Sequence, residues 1–276
     1  MTDVMIDHGN LAPYEDQYLN NLRYIRNHGI REKNARTGVE TLRVPSTVIV
    51  VDVGKEFPIL TSKQIFWKTA ADEMCWIHIK NDNVVANLKV PAMWSRTVFE
   101  DGTIGKSYGY QSGKKRNANF RNQLDYVIKT LKADPSSRHA NIDLWDPEDL
   151  DEMALPPCVI ALHFTVINGK LNCTMMQRSA DYPIGVPFDT TQTAMLMHIV
   201  ARELGVGLGI LTHVMSDSHI YANQIDKVDE YLSYADQYRF PAPTLKIADK
   251  PWTELTWQDF EVVGYQHGPK ISFELS

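Results

Sequence analysis

Apolar residues recur along this chain at two spacings, near 3.6 and at two, and the change from one to the other marks its elements. Tyr14 to about Asn27 repeats at helical spacing, and Gly29 with the run Arg31 to Thr37 forms a polar connection after it. Thr47-Val48-Ile49-Val50-Val51-Asp52-Val53 is rich in β-branched residues and predicts a buried strand. Gln64 to Ile79 predicts a helix with Phe66, Ala70, Glu73, Met74 and Ile77 on one face, which sets Glu73 inside an apolar stripe. Phe120 to Lys132 is amphipathic, with Leu124, Val127, Ile128 and Leu131 on one side, and Asp134-Pro135-Ser136-Ser137 ends it.

Val159 to Ile167 and Lys170 to Gln177 are strand patterns joined by Asn168-Gly169, the dipeptide that suits a type I′ hairpin turn. Asp189 to Leu204 is apolar on most sides, hence a buried helix, and Gly205 stands where such a helix commonly stops. A strand after Ile210, a helix near Ala222 to Gln237 and a terminal strand near Lys270 to Leu275 complete the series. Helices and strands mix without regular alternation, which predicts an α/β (α+β) fold with a large, partly antiparallel sheet.

No repeat, low-complexity tract or linker interrupts the chain. Its 276 residues fit one large domain, or at most two, and we expect a single domain over 1–276. With 34 acidic against 28 basic residues the net charge is -6, which argues against dedicated nucleic-acid binding but leaves room for a small anionic ligand held by a few arginines. Cys75, Cys158 and Cys173 are odd in number and form no CxxC, so neither a disulfide framework nor a zinc site is expected, and a reducing cytoplasmic setting is. Asp3, Asp7 and His8 make the first residues unlike a signal peptide. No apolar run approaches the roughly 18 residues that cross a bilayer.

The candidate chemistry concentrates in Gln177 to Asp189 and in Pro156-Pro157-Cys158. A lone cysteine is ordinarily a small buried hydrophobe. If the hairpin pairs around Asn168-Gly169, however, Arg178 lies across the ladder from Cys158, and a cation there favours the nucleophilic thiolate. Glu73 has two readings that the sequence leaves open: an exposed residue at a stripe edge, or a desolvated carboxyl with a raised pKa. Arg36, Arg138, Arg178 and Ser179 together suit a phosphate. Gly105-Lys106-Ser107 is not a phosphate loop, because Glu100 stands where its first glycine belongs. Gly205, Gly207 and Gly209 follow a helix instead of opening one, so they are no dinucleotide fingerprint, and His213 and His219 are too weakly patterned for a metal.

Leu155-Pro156-Pro157-Cys158, Gln177-Arg178-Ser179-Ala180-Asp181, Gly185-Val186-Pro187-Phe188 and Asp217-Ser218-His219-Ile220-Tyr221 occur in an order and spacing that resemble the thymidylate synthase family, from Arg36-Thr37-Gly38 to Gly264-Tyr265. The resemblance implies that family's fold, a large mixed sheet with flanking helices, dimerising sheet against sheet. It implies that Cys158 adds to C6 of a pyrimidine nucleotide, with 5,10-methylenetetrahydrofolate as cofactor. Arg36, Gln177, Arg178 and Ser179 then hold the nucleotide, with Arg138 reaching the phosphate from a partner subunit. His219 and Tyr221 meet the sugar, Asp181 and Gly185 the folate, and Glu73, Trp94 and Tyr108 line the reacting centre. An intact set of these groups argues against a non-catalytic nucleotide- or RNA-binding relative.

Four departures from the family pattern shape the expected activity. Asp189 replaces an asparagine whose amide matches uracil; a carboxyl matches the amino group and N3 of cytosine instead, and an unmatched buried pair costs ~1–3 kcal/mol. The same exchange marks the deoxycytidylate hydroxymethylases of that family, known from some phages. Thr97 stands where many members carry a second tryptophan, and the end, Ile271-Ser272-Phe273-Glu274-Leu275-Ser276, is more polar than the family's apolar tail, so we expect it to exclude water less well. Trp94, retained, pulls the other way. His139 replaces the second of two paired arginines, which weakens the phosphate grip and keeps CMP in play. The expectation is a homodimeric dCMP 5-hydroxymethyltransferase, with dCMP methylase, dUMP hydroxymethylase, CMP hydroxymethylase and thymidylate synthase as alternatives.

Overall fold

The structure is a computed structural model, described over residues 10–35 and 38–275. Helix α1 (Tyr14–His28) leads into β1 (Ile30–Lys33) and the long β2 (Glu40–Asp52). Helix α2 (Trp67–Met74) continues into one π-helical turn, Cys75–Ile79, and is followed by α3 (Tyr108–Gly113), α4 (Gln123–Ala133) and β3 (Asn141–Asp143). The hairpin β4 (Val159–Ile167) and β5 (Lys170–Gln177), the two-residue β6 (Ala180–Asp181), α5 (Gly185–Leu204) and β7 (Gly207–Tyr221) follow. After α6 (Ile225–Tyr234) the chain closes with a separate ribbon, β8 (Thr244–Ile247) against β9 (Phe260–Val263).

The main sheet has the order β1-β2-β7-β5-β4-β3, with β6 extending along β7. Its pairs are antiparallel except β5 and β6, which run parallel to β7. The expected mixed sheet with flanking helices is therefore present. Asn168 and Gly169 both take positive φ, 51° and 69°, as a type I′ turn requires, and they set the register that ends with Val159 opposite Gln177. Gly205 caps α5 in the left-handed region at φ 67°, a conformation only glycine adopts without strain.

Several boundaries differ from the periodicity. The strand predicted from Thr47 begins at Glu40, because Pro45 interrupts the ladder without ending the strand: pairing passes from Val44 with Ser218 to Ser46 with Ser216. Opposite that gap Asp217 takes φ 43°. Helix α2 starts at Trp67, since the Ile65 amide donates to Tyr265 Oη and the Gln64 amide to Pro269 O; Phe66 is 44% exposed and leaves the predicted apolar face. Asn122, whose side chain accepts the Asp125 amide, starts α4 three residues after Phe120. Helix α5 starts at Gly185, four residues before Asp189, because Pro187 in a first turn forfeits no helical hydrogen bond. The segment 222–237 is α-helical only over α6, with a 3-10 turn at each end. The terminal strand is absent: the backbone from Ile271 to Leu275 bonds to side chains, Gln224 Nε2 donating to Glu274 O and Arg96 Nη1 to Leu275 O.

The core lies between the inner sheet face and the helices, with α5 at its centre: Ala194, Met195, Leu196, Met197, Ile199 and Val200 have no exposed surface. Among the described residues no helix is long and apolar enough to cross a membrane.

Candidate active site

The hairpin places Cys158 and Arg178 side by side, as its sequence predicts: the Arg178 amide donates to Cys158 O at 2.8 Å. The guanidinium is fixed by the diproline, Nε donating to Pro157 O and Nη2 to Pro156 O, at 2.9 and 2.8 Å. It also lies over the Trp145 ring, 5.0 Å from the centroid. Tyr108, from α3, accepts the Cys158 amide at 2.7 Å and keeps its own hydroxyl proton for the sulfur.

Burial raises the pKa of the Cys158 thiol, and the charge of Asp189 adds to the rise; Arg178 and Tyr108 pull it down without cancelling these. The expectation that Arg178 favours the thiolate holds in sign, but desolvation is larger. Asp189 is itself pushed up to about 8, by burial first and by Glu73 next, so at neutral pH it is an uncharged acid and its own opposition to the thiolate disappears.

The two readings of Glu73 resolve in favour of the desolvated carboxyl. It accepts from Trp94 Nε1 at 2.7 Å and from Gln192 Nε2 at 2.6 Å, and burial nevertheless raises its pKa. Trp94 packs edge-on to Tyr108 with ring centroids 5.6 Å apart, which ties Glu73 to the cysteine through two aromatic side chains. A cavity of about 30 Å³ behind them is lined by Tyr108, Val159, Asp189 and Gln192, and is the size of one water.

Asp189, on the first turns of α5, accepts at Oδ2 from Gln177 Nε2 at 2.9 Å. Gly185 faces the same two carboxyls: a Cβ there would meet Asp189 Oδ2 at 3.6 Å and Asp181 Cβ at 3.9 Å. Asp181 accepts from Gln224 at Oδ2, while its buried Oδ1 has no hydrogen-bond partner. Burial raises its pKa against the opposing pull of His219, Gln224 and Lys63. His219 stands edge-on to Tyr221 at 5.0 Å, and burial would lower its pKa, but hydrogen bonds to Asp217 raise it. Ser179 is half-buried between Arg178 and β6.

One predicted nucleotide ligand, Arg138, is not at this cluster, and another, Arg36, lies outside the described residues. Arg138 is exposed, and its carbonyl meets His163, five positions along from Cys158 or about 16 Å of strand. His139 is also exposed, and it borders a cavity of about 240 Å³ shared with Lys114, Lys115, Arg116 and Trp145. Lys106 is engaged by Asp149 and Glu152, as befits a segment that is no phosphate loop.

Sequence reasoning passed over Gln192, Gln224, Trp145, Arg96 and Lys63, and weighed His213 only as a metal ligand. Gln192 had a signal, being a long polar side chain three positions after Asp189 on a largely buried helix. Lys63 is buried, donates to Pro183 O at 2.6 Å and carries the Phe273 ring 4.7 Å away; burial brings its pKa down to about 7, although Asp181 pulls it up. The tail is thus docked over the site, contrary to the looser closure that its polarity suggested.

A family model described as thymidylate synthase matches residues 16–276. The chain is 36% identical over 269 residues to the thymidylate synthase of Clostridium beijerinckii, covering 96% of this chain and 100% of that one. It is also 36% identical over 280 residues to that of Bacillus licheniformis, with the same coverage. A solved structure of thermostable thymidylate synthase A from Bacillus subtilis superimposes with a TM-score of 0.87 at 35% identity, over 96% of this chain and 99% of the other.

Proposed function

The chain belongs to the thymidylate synthase family, in which a one-carbon unit passes from 5,10-methylenetetrahydrofolate to a pyrimidine nucleotide, and we propose that its own substrate is dCMP and its product the 5-hydroxymethyl derivative. Asp189 carries this reading. A neutral carboxyl offers one O–H and one acceptor oxygen, which pair with N3 and the amino group of cytosine. An amide at the same place would offer its N–H to the carbonyl at position 4 of uracil.

Within that reading Cys158 adds to C6 of the base, assisted by the Tyr108 hydroxyl and by Arg178, and the addition makes C5 nucleophilic. Arg178, Ser179 and, by way of a partner subunit, Arg138 hold the phosphate, with Arg36 assigned the same role. His219 and Tyr221 bond the sugar. The orphaned Asp181 Oδ1 fits the folate, because the pterin ring carries N–H donors for a buried acceptor; Gly185 and Trp94 flank it. When bound, the folate supplies a one-carbon unit at the oxidation level of formaldehyde. Glu73, a base held by Trp94 and Gln192, orders the water that completes the hydroxymethyl group.

A second reading, a dCMP methylase, is favoured by one observation: Trp94 and the docked tail, with Phe273 packed and Leu275 held by Arg96, exclude water from the reacting carbon. One incubation separates the two. With methylenetetrahydrofolate and dCMP, CMP or dUMP, we expect hydroxymethyl-dCMP and tetrahydrofolate by mass spectrometry. Methylated dCMP with dihydrofolate establishes the methylase, and faster use of dUMP overturns the assignment of Asp189 to cytosine.

A further inference from the structure

Behind the base-reading carboxyl lies a chain of polar side chains drawn from three elements. Gln177 ends β5, Asp189 and Thr190 lie on α5, and His213 sits in the middle of β7. Gln177 is 3% exposed, and Thr190 and His213 have no exposed surface. Gln177 Nε2 is 3.1 Å from Ser179 O and 2.9 Å from Asp189 Oδ2; Oε1 is 2.6 Å from His213 Nε2; and His213 Nδ1 is 3.1 Å from Thr190 Oγ1.

Each link constrains the next. A backbone carbonyl only accepts, so Ser179 O requires the amide nitrogen of Gln177 on its side. That turns Oε1 toward His213, and an amide oxygen only accepts, so Nε2 of the ring carries the hydrogen. Burial keeps the imidazole neutral, with a pKa down at about 3, so it has one ring proton to assign. Nδ1 is then an acceptor, and the Thr190 hydroxyl shares its one hydrogen between Nδ1, at 3.1 Å, and Val186 O, at 2.7 Å. At the other end, Asp189 Oδ2 receives an N–H and keeps carbonyl character, which leaves the acid proton on Oδ1.

We propose that His213 is a specificity-determining positioning residue, which together with the Ser179 carbonyl holds the Gln177 amide in one orientation and thereby fixes which oxygen of Asp189 donates to the base. The proposal rests on the reading of Asp189 as the group that selects cytosine. The order of donor and acceptor is what separates the two bases, because cytosine and uracil present opposite orders at N3 and position 4. A Gln177 amide free to turn over would place Oε1 against Asp189 Oδ2 and draw the acid proton to Oδ2, leaving Oδ1 an acceptor, which meets N3–H of uracil and not the bare N3 of cytosine. A neutral carboxyl discriminates only while something behind it holds its proton in place, and the ring N–H of His213, the shorter of the two contacts that orient Gln177, contributes most to this.

The test is the ratio of kcat/KM for dCMP to that for dUMP. His213→Phe keeps a buried ring and removes the N–H, and we expect the ratio to fall about tenfold, the factor set by one buried hydrogen bond of ordinary strength. His213→Gln, which returns an N–H at similar reach, restores it. Equal loss for both nucleotides, or no rescue by glutamine, reduces His213 to packing and overturns the proposal. Asp189→Asn run alongside keeps the two ideas apart: if it changes base preference while His213→Phe does not, only the positioning role fails. In the wild-type protein, ¹⁵N NMR of the ring provides a readout independent of variant folding. A neutral imidazole protonated at Nε2 is expected, and one protonated at Nδ1 contradicts the scheme.

Discussion

Asp189 makes the activity titrate in a way that an asparagine in its place cannot. Its pKa stands near 8 because burial and the neighbouring Glu73 disfavour the charge. The acid form, which can donate to N3, prevails below that value and is lost above it. We therefore expect kcat/KM for dCMP to decline tenfold per pH unit above about 8. Asp189→Asn should abolish this limb and shift preference toward dUMP by about tenfold or more; a pH–rate profile on both nucleotides checks the two together, and an unchanged limb would show that another group titrates. Cys158→Ala should remove turnover while nucleotide binding stays measurable by calorimetry. Cys158 and Arg178 were legible from hairpin register and motif order, and Asp189 stood out as a departure from the family pattern, whereas Glu73 stayed open between two readings until its partners Trp94 and Gln192 were placed. Gln192, Gln224 and His213 were not, because their partners lie on other elements and no spacing along the chain connects a glutamine to a carboxyl 119 residues away, as with Gln192 and Glu73.

The elements that local chemistry dictates were the ones the sequence revealed best. Asn168-Gly169 defined the hairpin to the residue, and Gly205 ended α5 where predicted. Pro45 hid half of β2, and the ribbon of β8 with β9 escaped notice because each strand has only four residues. The outer face of the sheet bears on assembly. Val48, Val214, Met176 and Ala161 form one apolar row across β2, β7, β5 and β4, with Val48 42% and Met176 48% exposed. Such a row suits a second copy of the same sheet, the pairing typical of this fold. Met176→Lys should convert a dimer to monomers in analytical ultracentrifugation. If Arg138 serves the partner's phosphate site, the same variant should lose at least about a hundredfold in kcat/KM; full activity as a monomer would refute that sharing.

The whole molecule bears the burden of the site it encloses. Asp189, Glu73 and Asp181 all have pKa values raised by burial. Raised carboxyl values weaken folding as pH climbs from the unfolded range toward the folded one, since the unfolded chain ionises first. The stabilisation from neutral Asp189 is complete below about pH 4 and gone above about 8. Asp189→Asn should consequently melt a few degrees higher than the wild type at pH 8, with the gap closing toward pH 5, as calorimetric scans at several pH values would reveal. A gap independent of pH would assign the effect to packing.

The parallel pairing of β5 with β7 has a kinetic consequence. Strands joined this way cannot zip from a turn; the intervening chain must first be carried back along the sheet, and α5 is that return path. Gln177, Asp189 and His213 sit before, on and after the crossover, so they converge only when this long-range step is complete. Slow folding is the natural cost of that topology. In exchange, a nascent or half-assembled chain displays a reactive thiol but no means of choosing a base.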